Sequence, residues 1–150
     1  MDLKERTFLV DAPAARVASG FVSGRTIAIG DATFEFGTFA NGFAAASLVS
    51  TDSKPLKESA RMLLTVGARV ENTNMGWNAA RDSVSNNWGT GPVIAERVPL
   101  KVTLVTSGPR TVYALDPSGK RKLRLPSGYE GGKLTFEATN GDSMWVEIVK

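Results

Sequence analysis

The sequence predicts an all-β protein, a β-sandwich or jelly roll, and three observations support this prediction. Short runs of β-branched and aromatic residues recur at regular spacing, and Gly, Pro, Asn and Asp separate them. No convincing long helix interrupts the pattern, so we expect about ten to twelve short antiparallel strands. The chain has 150 residues, of which 42% are hydrophobic and 22% charged, and it is most simply a single domain spanning residues 1–150.

The first half of the chain contains the predicted strands 7–10, 16–22, 25–29, 33–36, 43–51 and 61–71. Ser23-Gly24 predicts a hairpin-like turn between the second and the third. Small residues along one side of 43–51 indicate a close-packed central strand. A helix over 56–66 is conceivable, but β-branched residues around Gly67 favour a strand there.

The second half contains the predicted strands 93–96, 100–106, 111–115, 121–125, 133–138 and 144–149. In 100–106, alternation places Val102, Leu104 and Thr106 on one face. The strand 121–125 is basic, and charges on a short strand usually form a solvated or edge-protecting face. Asn140-Gly141-Asp142 is typical of a hairpin turn before the last strand.

The stretch 71–92 lacks the pattern of short strands and turns seen in the rest of the chain, and it is predicted to be one long loop. It holds two of the three Trp residues, five Asn residues, Arg81 and three Gly residues. A loop of about twenty residues in a compact domain is usually functional or disordered. Two Trp residues and Met75 give this loop apolar groups to bury, which favours an ordered, functional loop.

Two clusters in this loop have the composition of a sugar-binding surface. An indole face can stack on the C–H side of a pyranose ring, while amides and a guanidinium hydrogen-bond its hydroxyls. The predicted ligand-binding residues are Trp77, Asn78, Arg81, Asn86, Asn87 and Trp88. In the alternative interpretation, both Trp residues anchor the loop on the sandwich and the Asn side chains cap its backbone.

Three aromatic residues outside the loop are weaker candidates. Tyr113 and Tyr129 are expected to contact ligand less readily than the loop residues do. Trp145 lies in an alternating strand, which predicts a position in the core or on a sheet face.

Catalysis is not expected, because the chain contains no Cys and no His. Their absence removes Cys and His nucleophile systems, the Ser-His-Asp triad and the usual zinc sites. Glu71, Asp82 and Glu96 lie in or beside the loop without recognisable catalytic spacing, and neighbouring Arg residues offer ion-pair explanations.

No cofactor is expected, although Asp side chains in turns suit calcium. No EF-hand-like loop is present, so a structural calcium ion is a weak alternative. Its candidate ligands are Asp31, Asp52, Asp82, Asp116 and Asp142.

Neither a nucleic acid nor a membrane is an expected partner. The net charge of +3 is modest, and the one basic cluster, 120–124, lacks the interleaved aromatics of a nucleic-acid stripe. No stretch approaches the roughly 18 apolar residues of a spanning helix. The N-terminus has no apolar signal-peptide core, so Met1 is expected to be a start codon placed on an excised domain.

Several ordered motifs resemble the C-terminal β-sandwich that follows TIM-barrel catalytic domains in large bacterial glycoside hydrolases. The resemblance covers residues 7–105, and the remainder matches only as generic strands. The motifs are Ser47-Leu48 with Asp52, Pro55-Leu56 and Ser59, the strand Leu63-Leu64-Thr65, Glu71-Asn72-Thr73, Trp77-Asn78, Trp88-Gly89-Thr90-Gly91-Pro92 and, more loosely, Asp11-Ala12-Pro13 and Gly20.

This resemblance implies a non-catalytic accessory domain, secreted as part of a parent polysaccharide-degrading enzyme. We expect a carbohydrate-binding module that holds plant or microbial β-glycans near the catalytic domain. The alternative is a structural sandwich that buttresses the catalytic TIM barrel without binding glycan itself.

Overall fold

The computed structural model describes residues 2, 4–141 and 143–150, and it confirms the all-β sandwich. Within these residues there are fourteen strands and one short 3₁₀ helix, Ala138–Gly141. The strands are β1 (Thr7–Ala12), β2 (Ala15–Phe21), β3 (Thr26–Ile29), β4 (Ala32–Phe36), β5 (Phe43–Ser50), β6 (Arg61–Gly67), β7 (Val70–Thr73), β8 (Thr90–Ala95), β9 (Leu100–Val105), β10 (Thr111–Leu115), β11 (Arg121–Leu125), β12 (Ser127–Glu130), β13 (Lys133–Glu137) and β14 (Trp145–Val149).

The larger sheet has seven antiparallel strands in the order β1-β2-β5-β6-β14-β10-β11. The strand β5 lies inside it, and Ala44 and Ala46 on its inner face are fully buried, as the small residues predict. The basic strand β11 forms one edge, where its charges oppose pairing with another chain.

The smaller sheet has five antiparallel strands in the order β12-β13-β9-β4-β3. In β9 the predicted alternation is confirmed, because Leu100, Val102 and Leu104 are buried and the residues between them are half-buried. Thr106, just beyond the strand, is buried on the same side.

The inner faces of the two sheets share one hydrophobic cluster. Leu48, Leu64 and Ile148 come from the larger sheet, and Phe34 and Leu134 come from the smaller one. Each such side chain contributes roughly 1.5–3 kcal/mol on complete burial. This core stabilises the sandwich independently of the long loop.

The predicted loop 71–92 is shorter than expected, because its ends form a two-stranded ribbon. Strands β7 and β8 pair with each other and with neither large sheet. The connection between them is residues 74–89. Asn72 pairs with Val93, and a register shift follows before Thr73 pairs with Thr90.

Two turns predicted as hairpins instead carry the chain from one sheet to the other. Ser23-Gly24 joins β2 of the larger sheet to β3 of the smaller one. The connection containing Asn140-Gly141-Asp142 joins β13 to β14, again in different sheets, and Asp142 itself lies outside the described residues. The strand β12 lies where the sequence predicted a loop.

In the described part of the chain, no helix has the length and apolar character needed to span a membrane.

Candidate functional site

The candidate loop, residues 74–89, is closed at its base by hydrogen bonds. The amide N–H of Gly76 donates to the carbonyl oxygen of Asn87 at 3.0 Å. The side-chain amide of Asn72 donates to the carbonyl oxygen of Trp88 at 2.9 Å. These contacts tie both ends of the loop to the ribbon.

Two glycines of the loop are required by close packing rather than by a ligand. A Cβ at Gly76 would lie 2.1 Å from the side-chain amide of Asn87. Gly89 has a φ of +71°, and its Cβ would lie 2.4 Å from the carbonyl oxygen of Thr73. The loop is therefore compact at the points where the two chain segments cross.

Glu71, the second residue of β7, organises the first predicted cluster. Its Oε2 atom accepts hydrogen bonds of 2.7 Å from the indole Nε1 of Trp77 and from Nη2 of Arg81. The Arg81 guanidinium carbon lies 5.1 Å from the centroid of the Trp77 ring, within cation–π range. Arg69 is a further, looser partner, at 3.7 Å. The structure therefore brings Trp77 and Arg81 together, as the predicted cluster requires. Both side chains, however, are bonded to the Glu71 carboxylate.

Asn78 and Asp82 hold the turn of the loop. The Asn78 amide donates to the Asp82 carboxylate at 2.7 Å, and the Asp82 backbone N–H donates to the Asn78 side chain at 3.2 Å. Arg81, inside this turn, has a φ of +55°. Asn78 thus caps the backbone, as the alternative interpretation predicts.

The second predicted cluster is more open to solvent. Trp88 is 61% exposed, and Asn86 and Asn87 beside it are also exposed. Among the described residues, Trp88 makes no ring contact with Trp77, so the two indoles do not form one stacked pair. Trp88 is the loop aromatic with a face available to a partner.

Apolar side chains continue from Trp88 along the ribbon. Val70 is 55% exposed, and Val93, on the same face by register, is 62% exposed. Ile94, on the opposite face, is 47% exposed. All six residues of β8 are exposed. The face of the ribbon that carries Val70 and Val93 is therefore an exposed apolar surface.

A cleft at the foot of the ribbon was not predicted from the sequence. Its volume is about 410 Å³. The walls come from the end of β8 and the residues after it, the end of β10, the 3₁₀ helix and the start of β14. Glu96, Arg97, Thr139, Ser143 and Trp145 are among its lining residues. Because these residues are distant in sequence, the cleft cannot be predicted from a local sequence motif.

The tyrosine candidates are engaged with neighbours. The Tyr113 ring lies 4.3 Å from the Arg121 guanidinium carbon. The Tyr129 hydroxyl donates to the carbonyl oxygen of Thr106 at 3.3 Å.

The carboxylates considered for catalysis or calcium have separate local partners. No group of three His, Cys, Asp or Glu side chains suited to a metal occurs among the described residues. Asp31 pairs with Arg16 at 2.8 Å, and Asp52 accepts from Ser59 at 2.7 Å. Asp116 accepts from the Ser118 hydroxyl at 2.7 Å, whereas Asp142 lies outside the described residues.

The strongest charge cluster lies on the outer face of the larger sheet and not in the loop. Glu147 is buried and accepts hydrogen bonds of 2.6 Å from Arg61 and from Arg121. Burial alone would raise the pKa of Glu147, but the two guanidinium groups outweigh burial and lower it. The ion pairs join β6, β14 and β11 across the sheet.

Two half-buried Asp residues also have lowered pKa values. The backbone N–H of Ala60 and the Ser59 hydroxyl lower the pKa of Asp52. The Ser118 hydroxyl and the backbone N–H of Lys120 lower the pKa of Asp116. Both carboxylates cap turns, which is a structural role.

Comparisons with known proteins found no match to this chain, whether among protein-family models, curated proteins or solved structures. The resemblance to accessory domains of glycoside hydrolases stays a prediction.

Proposed function

We propose that this protein is a non-catalytic carbohydrate-binding module that binds plant or microbial β-glycans. The observation that carries the proposal is Trp88, a large aromatic side chain with 61% of its surface exposed. An exposed indole offers a surface on which a pyranose ring can stack. The Asn72 contact holds the backbone of Trp88 before ligand arrives, so less ordering is needed on binding.

Hydroxyl partners remain beside this ring. Asn86 and Asn87 have exposed side chains next to Trp88 in sequence. Asn78 and Arg81 are also exposed, and each retains donors beyond its contact within the loop. Trp77 supports the loop through Glu71 and adds a half-buried ring edge. All six predicted residues thus retain a role in the proposed site.

The proposal extends to the biological context that the resemblance implies. The module would be secreted with a parent bacterial glycoside hydrolase and would hold the polymer near the catalytic domain. No metal or cofactor takes part in binding by stacking and hydrogen bonding. The chain itself would not hydrolyse the glycan, and Glu71 supports this view because its carboxylate is committed to Trp77 and Arg81.

A specific observation favours a second function, in which the domain buttresses a catalytic TIM barrel. One face of the ribbon exposes Val70 and Val93, and the neighbouring loop exposes Trp88. Contiguous exposed apolar side chains are typical of protein contact sites. In this case Trp88 would pack on the neighbouring domain and would not contact sugar.

Affinity electrophoresis against soluble polysaccharides tests both functions. The panel would contain xyloglucan, mixed-linkage β-glucan, glucomannan, xylan and galactan. We expect one or two related polymers to retard the protein and Trp88→Ala to abolish the retardation. Because Trp88 is mostly exposed, this variant should keep its melting temperature and circular dichroism spectrum.

The control is the double variant Val70→Ser and Val93→Ser, which removes the two exposed apolar side chains from one face of the ribbon but not the Trp88 ring. Under the glycan proposal it binds like the wild type. If no polymer retards the folded wild-type protein, the carbohydrate proposal fails and the buttress remains. Retention that persists in Trp88→Ala would refute the assignment of the stacking residue.

A further inference from the structure

The cleft at the foot of the ribbon has the features of a built binding site. Its volume of about 410 Å³ lies within the range of small-molecule pockets. Val98 and Ala138 give it a buried apolar base, and polar side chains line its rim. A flat surface patch would offer no such enclosure.

Hydrogen bonds fix the backbone of Trp145 beside this cleft. It begins β14 opposite Thr65 and lies on the face of the sheet opposite to the buried Val146. Its backbone N–H donates to the Ser143 hydroxyl at 3.0 Å, and that hydroxyl donates to the carbonyl oxygen of Leu115 at 2.5 Å. Trp145 is half-buried and is one of the residues that line the cleft.

Glu96 brings an unused hydrogen-bond acceptor to the cleft wall. Its side chain is only 10% exposed. One carboxylate oxygen, Oε1, accepts from the backbone N–H of Asn41 at 2.9 Å. The other, Oε2, is buried and has no hydrogen-bond partner among the described residues, since Arg69 lies 3.9 Å away. A buried acceptor without a donor is unfavourable, and a donor on a ligand would satisfy it.

Oε2 is the carboxylate oxygen of Glu96 left for a ligand donor, because Oε1 is committed to Asn41. Thr139 adds a side-chain hydroxyl, and Arg97 adds a guanidinium that is oriented by a 2.7 Å hydrogen bond to the Thr139 carbonyl oxygen. An aromatic wall with acceptors and donors at the rim suits a compact ligand that has both C–H faces and hydroxyls.

We propose that this cleft is a second carbohydrate site, which takes a single sugar ring or the end of a glycan chain against Trp145, with Glu96 accepting a hydroxyl hydrogen. The choice of a sugar as ligand class rests on the proposed function, whereas the existence of a site in the cleft does not. The two sites differ in mode. Trp88 lies on an open surface that suits the side of a polymer, and the half-open cleft suits a mono- or disaccharide.

Nuclear magnetic resonance can separate the two sites, because the chain has three Trp residues and hence three indole N–H signals. Each signal is assigned by a Trp→Phe variant. The labelled full-length protein is titrated with glucose, galactose, mannose, xylose and their β-linked disaccharides. We expect at least one of these sugars to shift the Trp145 signal in a saturable manner while the Trp88 signal changes little.

Glu96→Gln tests the carboxylate, since Gln preserves the shape and can still accept from Asn41. We expect the apparent affinity at Trp145 to weaken about tenfold, because a hydrogen bond to a charged acceptor is lost. Trp88→Ala is the matched control and should leave the Trp145 titration unchanged. An unchanged amide spectrum in Glu96→Gln verifies that the variant remains folded.

The outcomes for the two sites are distinguishable. A Trp145 titration in a protein that no polysaccharide retards supports the cleft and rejects the proposed function. If no sugar shifts the Trp145 signal, or if Glu96→Gln binds as well as the wild type, the cleft proposal is wrong.

Discussion

Glu71→Ala should open the long loop while leaving the sandwich folded. Glu71 is the acceptor shared by Trp77 and Arg81, and its side chain is only 15% exposed. The core residues of the two sheets lie elsewhere. Removing this carboxylate therefore acts on residues 74–89 and spares the register of both sheets.

The size of the effect follows from the two hydrogen bonds. The bond from the half-buried Trp77 indole to a charged acceptor is worth roughly 1.5–3 kcal/mol. The pair with Arg81, which is 47% exposed, adds only about 0.2–1 kcal/mol because solvent screens it. A sum of about 2–4 kcal/mol corresponds to a change of roughly 30- to 900-fold in the ratio of closed to open loop.

Native-state hydrogen exchange measures this ratio directly. The amides of Gly76, Asn78 and Asn87 donate to carbonyl oxygens within the loop, so their protection reports its closure. They should lose protection by the predicted factor, while amides of β5 and β14 keep theirs. Glu58→Ala, at an exposed position, is the matched control. Unchanged protection of the three loop amides would show that Glu71 does not hold the loop.

Two further predictions concern the ribbon and the larger sheet. Gly89→Ala should lower stability by about 1–3 kcal/mol in thermal unfolding, because its Cβ would lie 2.4 Å from a carbonyl oxygen of β7 at positive φ. Gly119 also has a positive φ, but the space around its Cβ is open, so Gly119→Ala should lower the stability less. Equal losses of stability in the two variants would show that the contact between the Cβ at position 89 and the carbonyl oxygen has no effect. Because Arg61 and Arg121 lower the pKa of Glu147 below its ordinary 4.5, the free energy of unfolding should fall as pH drops from that value. Urea unfolding at several pH values measures this loss of stability, which should be smaller in Glu147→Gln. If that variant lost as much stability at low pH as the wild type, Glu147 would not be the cause of the pH dependence.

The period of the hydrophobic residues was enough to predict most of the fold. Alternation in 100–106 identified the inward face of β9, and small residues identified β5 as an inner strand. Charges on 121–125 indicated an edge, which β11 occupies. Each of these features is local, so a single sequence contains it.

The turns, the strand β12 and the ends of the long loop were predicted wrongly, because their structure depends on contacts between residues distant in sequence. Ser23-Gly24 has the residues of a tight turn, but those residues do not specify which sheet the next strand joins. The strand β12 has alternating positions that are all exposed, and it forms because β13 offers it an edge. Likewise, the ends of the stretch 71–92 pair only with each other, which hydrophobic periodicity does not reveal.

Composition located the candidate loop but did not separate binding from supporting residues within it. The sequence treats Trp77 and Trp88 alike, since each is followed or preceded by Asn. In the structure they differ, because the carboxylate of Glu71 lies within reach of one indole N–H. The cleft with Trp145 was missed altogether, because its walls come from segments that only the folded topology brings together.

The distinction between binding and supporting residues also changes which amide matters most for the proposed glycan site. Asn86 and Asn87 were expected to serve Trp88 because they precede it. The contact that holds the Trp88 backbone comes instead from Asn72, whose side-chain amide donates to the carbonyl oxygen of Trp88. Asn72 lies in β7 and is half-buried, so this bond ties the backbone of Trp88 to the paired strands. Rigidity of this kind lowers the entropy lost on binding, so Asn72 is a positioning residue, and the exposed Asn86 and Asn87 remain available to the ligand.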